Sequence, residues 1–209
     1  MIAALVLAAG RGRRFAESGG ERADNKLLQD VGGMPLVCRT LAAVLDGGLD
    51  RVIVIVDADT PEVEQAIRAW YPDVESPVVL RNPHAGGGHM TSLKMGIGNV
   101  DESCTAVMVF LADMPLVSRA VIDALLDEFG RSGKLALPEC GGQHFHPRVI
   151  PRHFFQEFLE LNDDQKGTVV FDRHREEVAV VRVGDPHDFL DVDCADDLAR
   201  VRRHYEKRI

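Results

Sequence analysis

The chain has 209 residues, of which 45% are hydrophobic and 27% charged, with a formal net charge of −9. That length can bury a core without disulfide or metal staples, so one domain over residues 1–209 is expected. The acidic balance argues against a general nucleic-acid or membrane surface, because both reward excess positive charge. Cys38, Cys104, Cys140 and Cys194 are widely spaced with no C-x-x-C pair, which fits reduced thiols in a cytoplasmic protein and no structural zinc.

Taken in order, the chain opens on the apolar run Ile2-Ala3-Ala4-Leu5-Val6-Leu7, predicted as a buried strand. The run has no basic region before it and breaks at Gly10-Arg11, so it reads as neither a signal peptide nor a membrane span. The strand leads into Ala8-Ala9-Gly10-Arg11-Gly12-Arg13-Arg14-Phe15, small residues carrying three arginines. Small residues let a ligand reach the backbone, and free N–H groups with guanidinium groups suit a polyphosphate. Residues 11–34 are too polar and Gly-rich for a helix throughout, so a long active-site loop is predicted.

Further strands are predicted at 52–56, 78–80 and 106–111. Thr60-Pro61 reads as the start of a helix whose buried face carries Val63, Ala66, Ile67 and Trp70. Ser118 opens a second helix, with Val121, Ile122, Leu125, Leu126 and Phe129 inward and Gly130 at its end. Asp193 opens a third, with Leu198, Val201 and Tyr205 inward. The phenylalanines of 154–158 read as core. His144 and His146 are expected on one face of a strand, without a third ligand for zinc.

The alternation predicts an α/β fold, a three-layer α/β/α sandwich around a mainly parallel sheet. Such sheets bind ligands at the carboxyl ends of their strands, where Gly10 to Arg14, Asp57 and Asp113 fall.

Two common glycine motifs do not fit. The dinucleotide fingerprint needs a third glycine where Phe15 stands, and an acidic residue about 20 residues on, whereas Asp57 comes too late. The P-loop needs a hydroxyl residue after its lysine, and Lys26 is followed by Leu27. What fits is Leu7-Ala8-Ala9-Gly10 with Arg14-Phe15, then Lys26, then Leu111-Ala112-Asp113-Met114-Pro115. Two further blocks are Asn82-Pro83 with Gly88-His89-Met90-Thr91-Ser92-Leu93-Lys94-Met95-Gly96, and Asp191-Val192-Asp193-Cys194-Ala195-Asp196-Asp197-Leu198. With these four blocks in order, the chain resembles the nucleotidyltransferase superfamily, and within it the molybdenum cofactor cytidylyltransferase-like branch with its MobA-like NTP transferase fold. It departs from that branch where Phe145-His146-Pro147 stands for G-H-P, and where Asn162-Asp163-Asp164-Gln165-Lys166-Gly167 replaces a G-D-x-G-A-R block.

The resemblance implies transfer of CMP from CTP to a phosphorylated, molybdopterin-type acceptor with release of pyrophosphate, dependent on Mg²⁺. It makes Arg14, Lys26 and Asp113 catalytic, and Asp113, Asp191 and Asp193 the metal ligands. Asp193 also suits a helix N-cap. The nucleotide falls to Leu7, Ala8, Ala9, Gly10, Arg11, Gly12, Arg13, Gly87, Gly88 and Ser92, and the acceptor to His146 and Lys166. Ala8-Ala9 before Gly10 resembles the cytidylyl form, where guanylyl relatives carry Ala-Gly-Gly. The alternatives are a guanylyltransferase using GTP, a cytidylyltransferase for another small phosphate such as methylerythritol phosphate, a nucleotide-sugar transferase, and a non-catalytic nucleotide-binding chaperone that hands cofactor to an accepting enzyme.

Overall fold

The computed structural model describes residues 1–10, 12, 15, 25–72 and 76–206. Eight strands, β1 (Ile2–Ala8), β2 (Arg51–Asp57), β3 (Val78–Asn82), β4 (Ala106–Leu111), β5 (Leu135–Cys140), β6 (Gln143–His144), β7 (Arg148–Pro151) and β8 (Val178–Arg182), form one sheet. Its order is β3-β2-β1-β4-β7-β5-β6, with β8 paired to β5. The pairs β1–β2, β1–β4, β2–β3 and β5–β8 are parallel, and β4–β7, β5–β6 and β5–β7 antiparallel.

The central strands are apolar on both faces because both faces are covered. In β1, Ala4, Val6 and Ala8 enter one core and Ala3, Leu5 and Leu7 the other. The first core is closed by α1 (Leu36–Asp46), α2 (Pro61–Trp70), α4 (Arg119–Ser132) and α7 (Ala195–Glu206). The second is closed by α3 (His89–Gly98), α5 (Phe155–Glu160) and α6 (Thr168–Arg173). This is the expected three-layer α/β/α sandwich, and Phe154, Phe155 and Phe158 lie in its second core as expected.

Several local expectations are corrected. The helix expected to end at Gly130 runs through it to Ser132, because Gly133 is the residue with left-handed backbone (φ 66°), and its N–H closes on the Phe129 carbonyl at 2.8 Å. Trp70 is 44% exposed as the last residue of α2; Glu64 is buried instead, its carboxylate accepting hydrogen bonds from Arg68 and Arg81. Thr60 precedes α2 without capping it by side chain, and its hydroxyl donates to the Asp57 carbonyl. The last helix begins at Ala195, and its entry is held by the Asp197 carboxylate, which accepts from the N–H groups of Asp193 (3.3 Å) and Cys194 (3.1 Å). His144 and His146 do not share a strand, because β6 ends at His144 and a cis His146-Pro147 bond intervenes before β7. Within the polar 11–34 stretch, Lys26–Leu28 form a 3-10 turn, capped by the Asn25 carboxamide oxygen accepting from the Leu27 N–H.

Candidate active site

Two adjoining cavities open at the carboxyl ends of β1 and β4, as the topology of a doubly covered sheet favours. The first, about 480 Å³, is lined by the β1 loop (Ala9, Gly10, Gly12), Lys26, Ser92, and the carboxylates Asp113, Asp191 and Asp193. The second, about 490 Å³, shares Leu7, Gly88, His89 and Leu111 with the first and extends under α5 and α6.

The carboxylates are brought together by backbone pairing. Beyond β4 the Ala112 N–H continues onto the Leu7 carbonyl (3.1 Å), and the Thr40 hydroxyl donates to the Ala112 carbonyl (2.8 Å). The Asp113 carbonyl then accepts from the Val192 N–H (3.0 Å), laying the Asp191-Val192-Asp193 segment beside it. Lys26 reaches into this junction. Its ammonium donates to Asp113 Oδ2 (2.8 Å), Asp193 Oδ1 (3.1 Å) and the Val192 carbonyl (2.9 Å). Burial opposes that charge, but Asp113 and Asp193 outweigh it and hold the Lys26 ammonium above its ordinary pKa. Gly12, at φ 59°, lies against the lysine stem; a Cβ there would stand 3.4 Å from Lys26 Cγ.

The carboxylates are not all neutralised. Asp113 Oδ1 is buried with no hydrogen-bond partner among the described residues. Asp191 is pushed above the usual carboxylate range by burial and by the nearby Asp193 and Asp113 charges. An orphaned buried carboxylate oxygen, in a cavity where three carboxylates face one ammonium among the described residues, fits a hard divalent cation. As the side chains stand, no three metal-ligating groups among the described residues gather on one point, since Asp113 and Asp193 are turned to Lys26. The helix-cap alternative for Asp193 is answered in part: one of its carboxylate oxygens faces Lys26, and Asp197 supports the turn.

On the opposite wall, Asn82 at the end of β3 donates to the hydroxyls of Thr91 (2.9 Å) and Ser92 (3.0 Å). Its carboxamide oxygen accepts from the His84 N–H at 2.9 Å. One buried residue thus pins the Gly86–Gly88 turn to the first turn of α3.

Of the residues predicted from sequence, Leu7, Ala9, Gly10, Gly12, Lys26, Gly88, Ser92, Asp113, Asp191 and Asp193 line the first cavity. Gly87 lines the second, with His146 and Lys166. Ala8 is in the core at 1% exposure and lines neither. Arg11, Arg13 and Arg14 lie outside the described residues. Missed by the sequence reading were His89, which lines both cavities, and Arg148, which lines the second. Arg148 carried a readable signal: a lone cation in the apolar run Val149-Ile150.

In the second cavity, His146 Nδ1 lies 3.1 Å from the Val109 carbonyl, and burial, with the charges of Arg148 and His89, pushes its pKa down to about 3. The Asn162–Gly167 loop forms the rim, tied to α3 by Lys94 Nζ donating to Asp163 Oδ1 (2.7 Å).

Among solved structures, the chain is similar to a nucleotidyl transferase from Methanothermobacter thermautotroptrophicus, with TM-score 0.82 and 22% identity over 100% of this chain and 99% of that one. It is also similar to Rv0371C from Mycobacterium tuberculosis H37Rv in complex with manganese, with TM-score 0.75 and 22% identity over 97% and 98%. A similar sequence is the bifunctional protein GlmU of Heliobacterium modesticaldum, 31% identical over 134 residues, which are 63% of this chain and 26% of that protein. The chain thus spans about a quarter of the length of such relatives. The model of the MobA-like NTP transferase domain matches residues 4–178, and the chain belongs to that family.

Proposed function

We propose that the chain is a nucleotidyltransferase that moves CMP from CTP onto a phosphorylated acceptor of the molybdopterin type and releases pyrophosphate. The observation that carries the reading is the first cavity: a loop of small residues, one buried lysine and three carboxylates, with a carboxylate oxygen left without a partner among the described residues. In the reaction an acceptor oxygen attacks the α-phosphorus, the bond to the bridging oxygen of the β-phosphate breaks, and pyrophosphate carries that electron pair away. Such transfer needs alignment and charge neutralisation more than covalent chemistry from the protein.

Within this reading the Ala9 to Gly12 backbone receives the triphosphate, and Arg11, Arg13 and Arg14 are its proposed clamps. The Lys26 ammonium exchanges its carboxylate partners for the α-phosphate. A divalent cation, Mg²⁺ by preference, would be held by Asp113, Asp191 and Asp193 and supplies charge neutralisation at the phosphates when bound. The manganese complex of the similar mycobacterial protein supports a divalent ion of this kind. The base rests on Ala9 near Gly88 and Ser92, and the acceptor occupies the second cavity near His146 and Lys166.

The test is pyrophosphate release with CTP or GTP, Mg²⁺ and candidate phosphorylated acceptors. Release is expected with CTP and molybdopterin, and none with any nucleotide–acceptor pair despite nucleotide binding would overturn the reading in favour of a binding protein. Ala9→Gly is expected to move the CTP:GTP preference toward GTP by several-fold. An unchanged ratio would remove Ala9 from base recognition.

A further inference from the structure

The second cavity contains a cation that forms no ion pair with the described residues. Arg148, at the start of β7 in register with Val109 of β4, faces the α3–α5–α6 layer. Its Nε donates to the Phe145 carbonyl (3.1 Å), and its Cζ stands 5.3 Å from the Phe171 ring centroid. Its Nη groups make no hydrogen bond or ion pair with the described residues, and neither is sealed from solvent. Burial lowers the pKa of this guanidinium, with the Asp172 charge opposing, yet an arginine keeps its proton. A half-buried guanidinium with both Nη groups open is a receptor for a phosphate or carboxylate.

Beside it stands a group of the opposite character. A carbonyl only accepts, so the Val109 carbonyl fixes the proton of His146 on Nδ1. His146 is held neutral in this setting, which leaves Nε2 as an acceptor, and Nε2 has no partner among the described residues. The two are close enough for the Arg148 charge to depress the proton affinity of His146. At the rim, Asp163 is paired with Lys94, and Asp164 and Lys166 carry opposite charges. Apolar side chains, among them Leu7, Leu111, Phe158 and Phe171, form much of the remaining wall.

We propose that the second cavity selects an acceptor in which a phosphate or carboxylate stands beside a hydroxyl or N–H. The oxyanion pairs with the Nη groups of Arg148, and the neighbouring donor hydrogen-bonds to Nε2 of His146. Arg148 is thereby a specificity-determining residue, paired with Val109 of β4, the strand that leads into the turn carrying Asp113. The proposal rests on the assignment of this cavity to the acceptor.

The test uses glycerol 3-phosphate, propyl phosphate and glycerol as probes, titrated into the protein while the ring nitrogens of ¹⁵N-labelled histidine are followed by NMR. Glycerol 3-phosphate is expected to bind at least tenfold more tightly than propyl phosphate and to shift His146 Nε2, while glycerol does not bind. Arg148→Met is expected to weaken glycerol 3-phosphate at least tenfold, with CTP binding by calorimetry unchanged as the check on the fold. Arg148→Lys, which keeps the charge, is expected to recover part of the loss. His146→Phe is expected to abolish the difference between the two phosphates. Equal binding of the two phosphates by the unaltered protein, absence of any probe binding, or unchanged affinity in Arg148→Met would each overturn the proposal. If the probe pattern holds but no pyrophosphate is ever released, the transferase reading fails alone. If pyrophosphate is released but the probe pattern is absent, this proposal fails alone.

Discussion

Lys26 has a small exposed area (7%), yet it carries a charge, because two carboxylates and a carbonyl replace the water it loses. It does for Asp113 and Asp193 what an added cation would do. Removing it should leave Asp113 buried and uncompensated. Lys26→Met is therefore expected to lower urea stability by about 2 kcal/mol without divalent ions, and Mn²⁺ should restore more stability to the variant than to the parent. Equal stability of the two proteins without metal would contradict this. The sequence identified Lys26 and Asp113 as residues of one site through their motif. It did not reveal their direct contact, because residues 87 positions apart meet only through the fold. Arg148 escaped for the opposite reason, since a single arginine in an apolar strand has no motif, only an environment.

Elements with strong periodicity or β-branched runs were legible, and their ends less so. β1, β2 and β4 are apolar on both faces and stood out, whereas β5, β7 and β8 went unassigned. β5 contains Pro138, and β8 is an exposed edge with Val180 at 45% exposure. α1 also went unassigned: Leu36, Val37, Cys38, Leu41 and Val44 are all buried, so its apolar residues do not form a narrow stripe. α3 went unassigned as well, and it carries Gly96 and Gly98, which weaken a helical pattern. Gly96 is a packing residue, since a Cβ there would stand 2.9 Å from Leu5 Cδ1 and 3.2 Å from Ile55 Cδ1, both in fully buried side chains. Gly96→Ala should gain about 1 kcal/mol of helix propensity and lose about 2 kcal/mol to overpacking, for a net loss of about 1 kcal/mol in urea unfolding. A gain in stability would show that α3 can shift away from the sheet.

At the scale of the whole molecule, the doubly covered sheet was legible from alternation alone, but its antiparallel half was not, because β7 inserts between β4 and β5 out of chain order. That insertion brings His146 under the Val109 carbonyl and beside the second cavity. Its pKa is depressed in the fold to about 3, against about 6.5 in an unfolded chain. The unfolded state therefore binds a proton that the folded state refuses between those values, and stability is lost as pH falls from 6.5 toward 3. The slope from this group is at most about 1.4 kcal/mol per pH unit. His146→Gln should flatten the acid limb of the urea stability curve, and parallel curves for the two proteins would contradict a buried neutral histidine. No helix among the described residues is long and apolar enough to cross a membrane.

The central claim is that the carboxylate junction around Asp113 performs nucleotidyl transfer, and Asp113→Asn tests it most directly. The substitution keeps the size of the side chain, removes its charge and leaves the Thr40, Leu7 and Val192 backbone ties in place. Pyrophosphate release from CTP, with Mg²⁺ and the acceptor that supports turnover in the parent, is expected to fall at least 100-fold, on the order lost when one charge-stabilising group is removed, while circular dichroism and unfolding remain those of a folded chain. Turnover within a few-fold of the parent would contradict the claim and place the chemistry elsewhere.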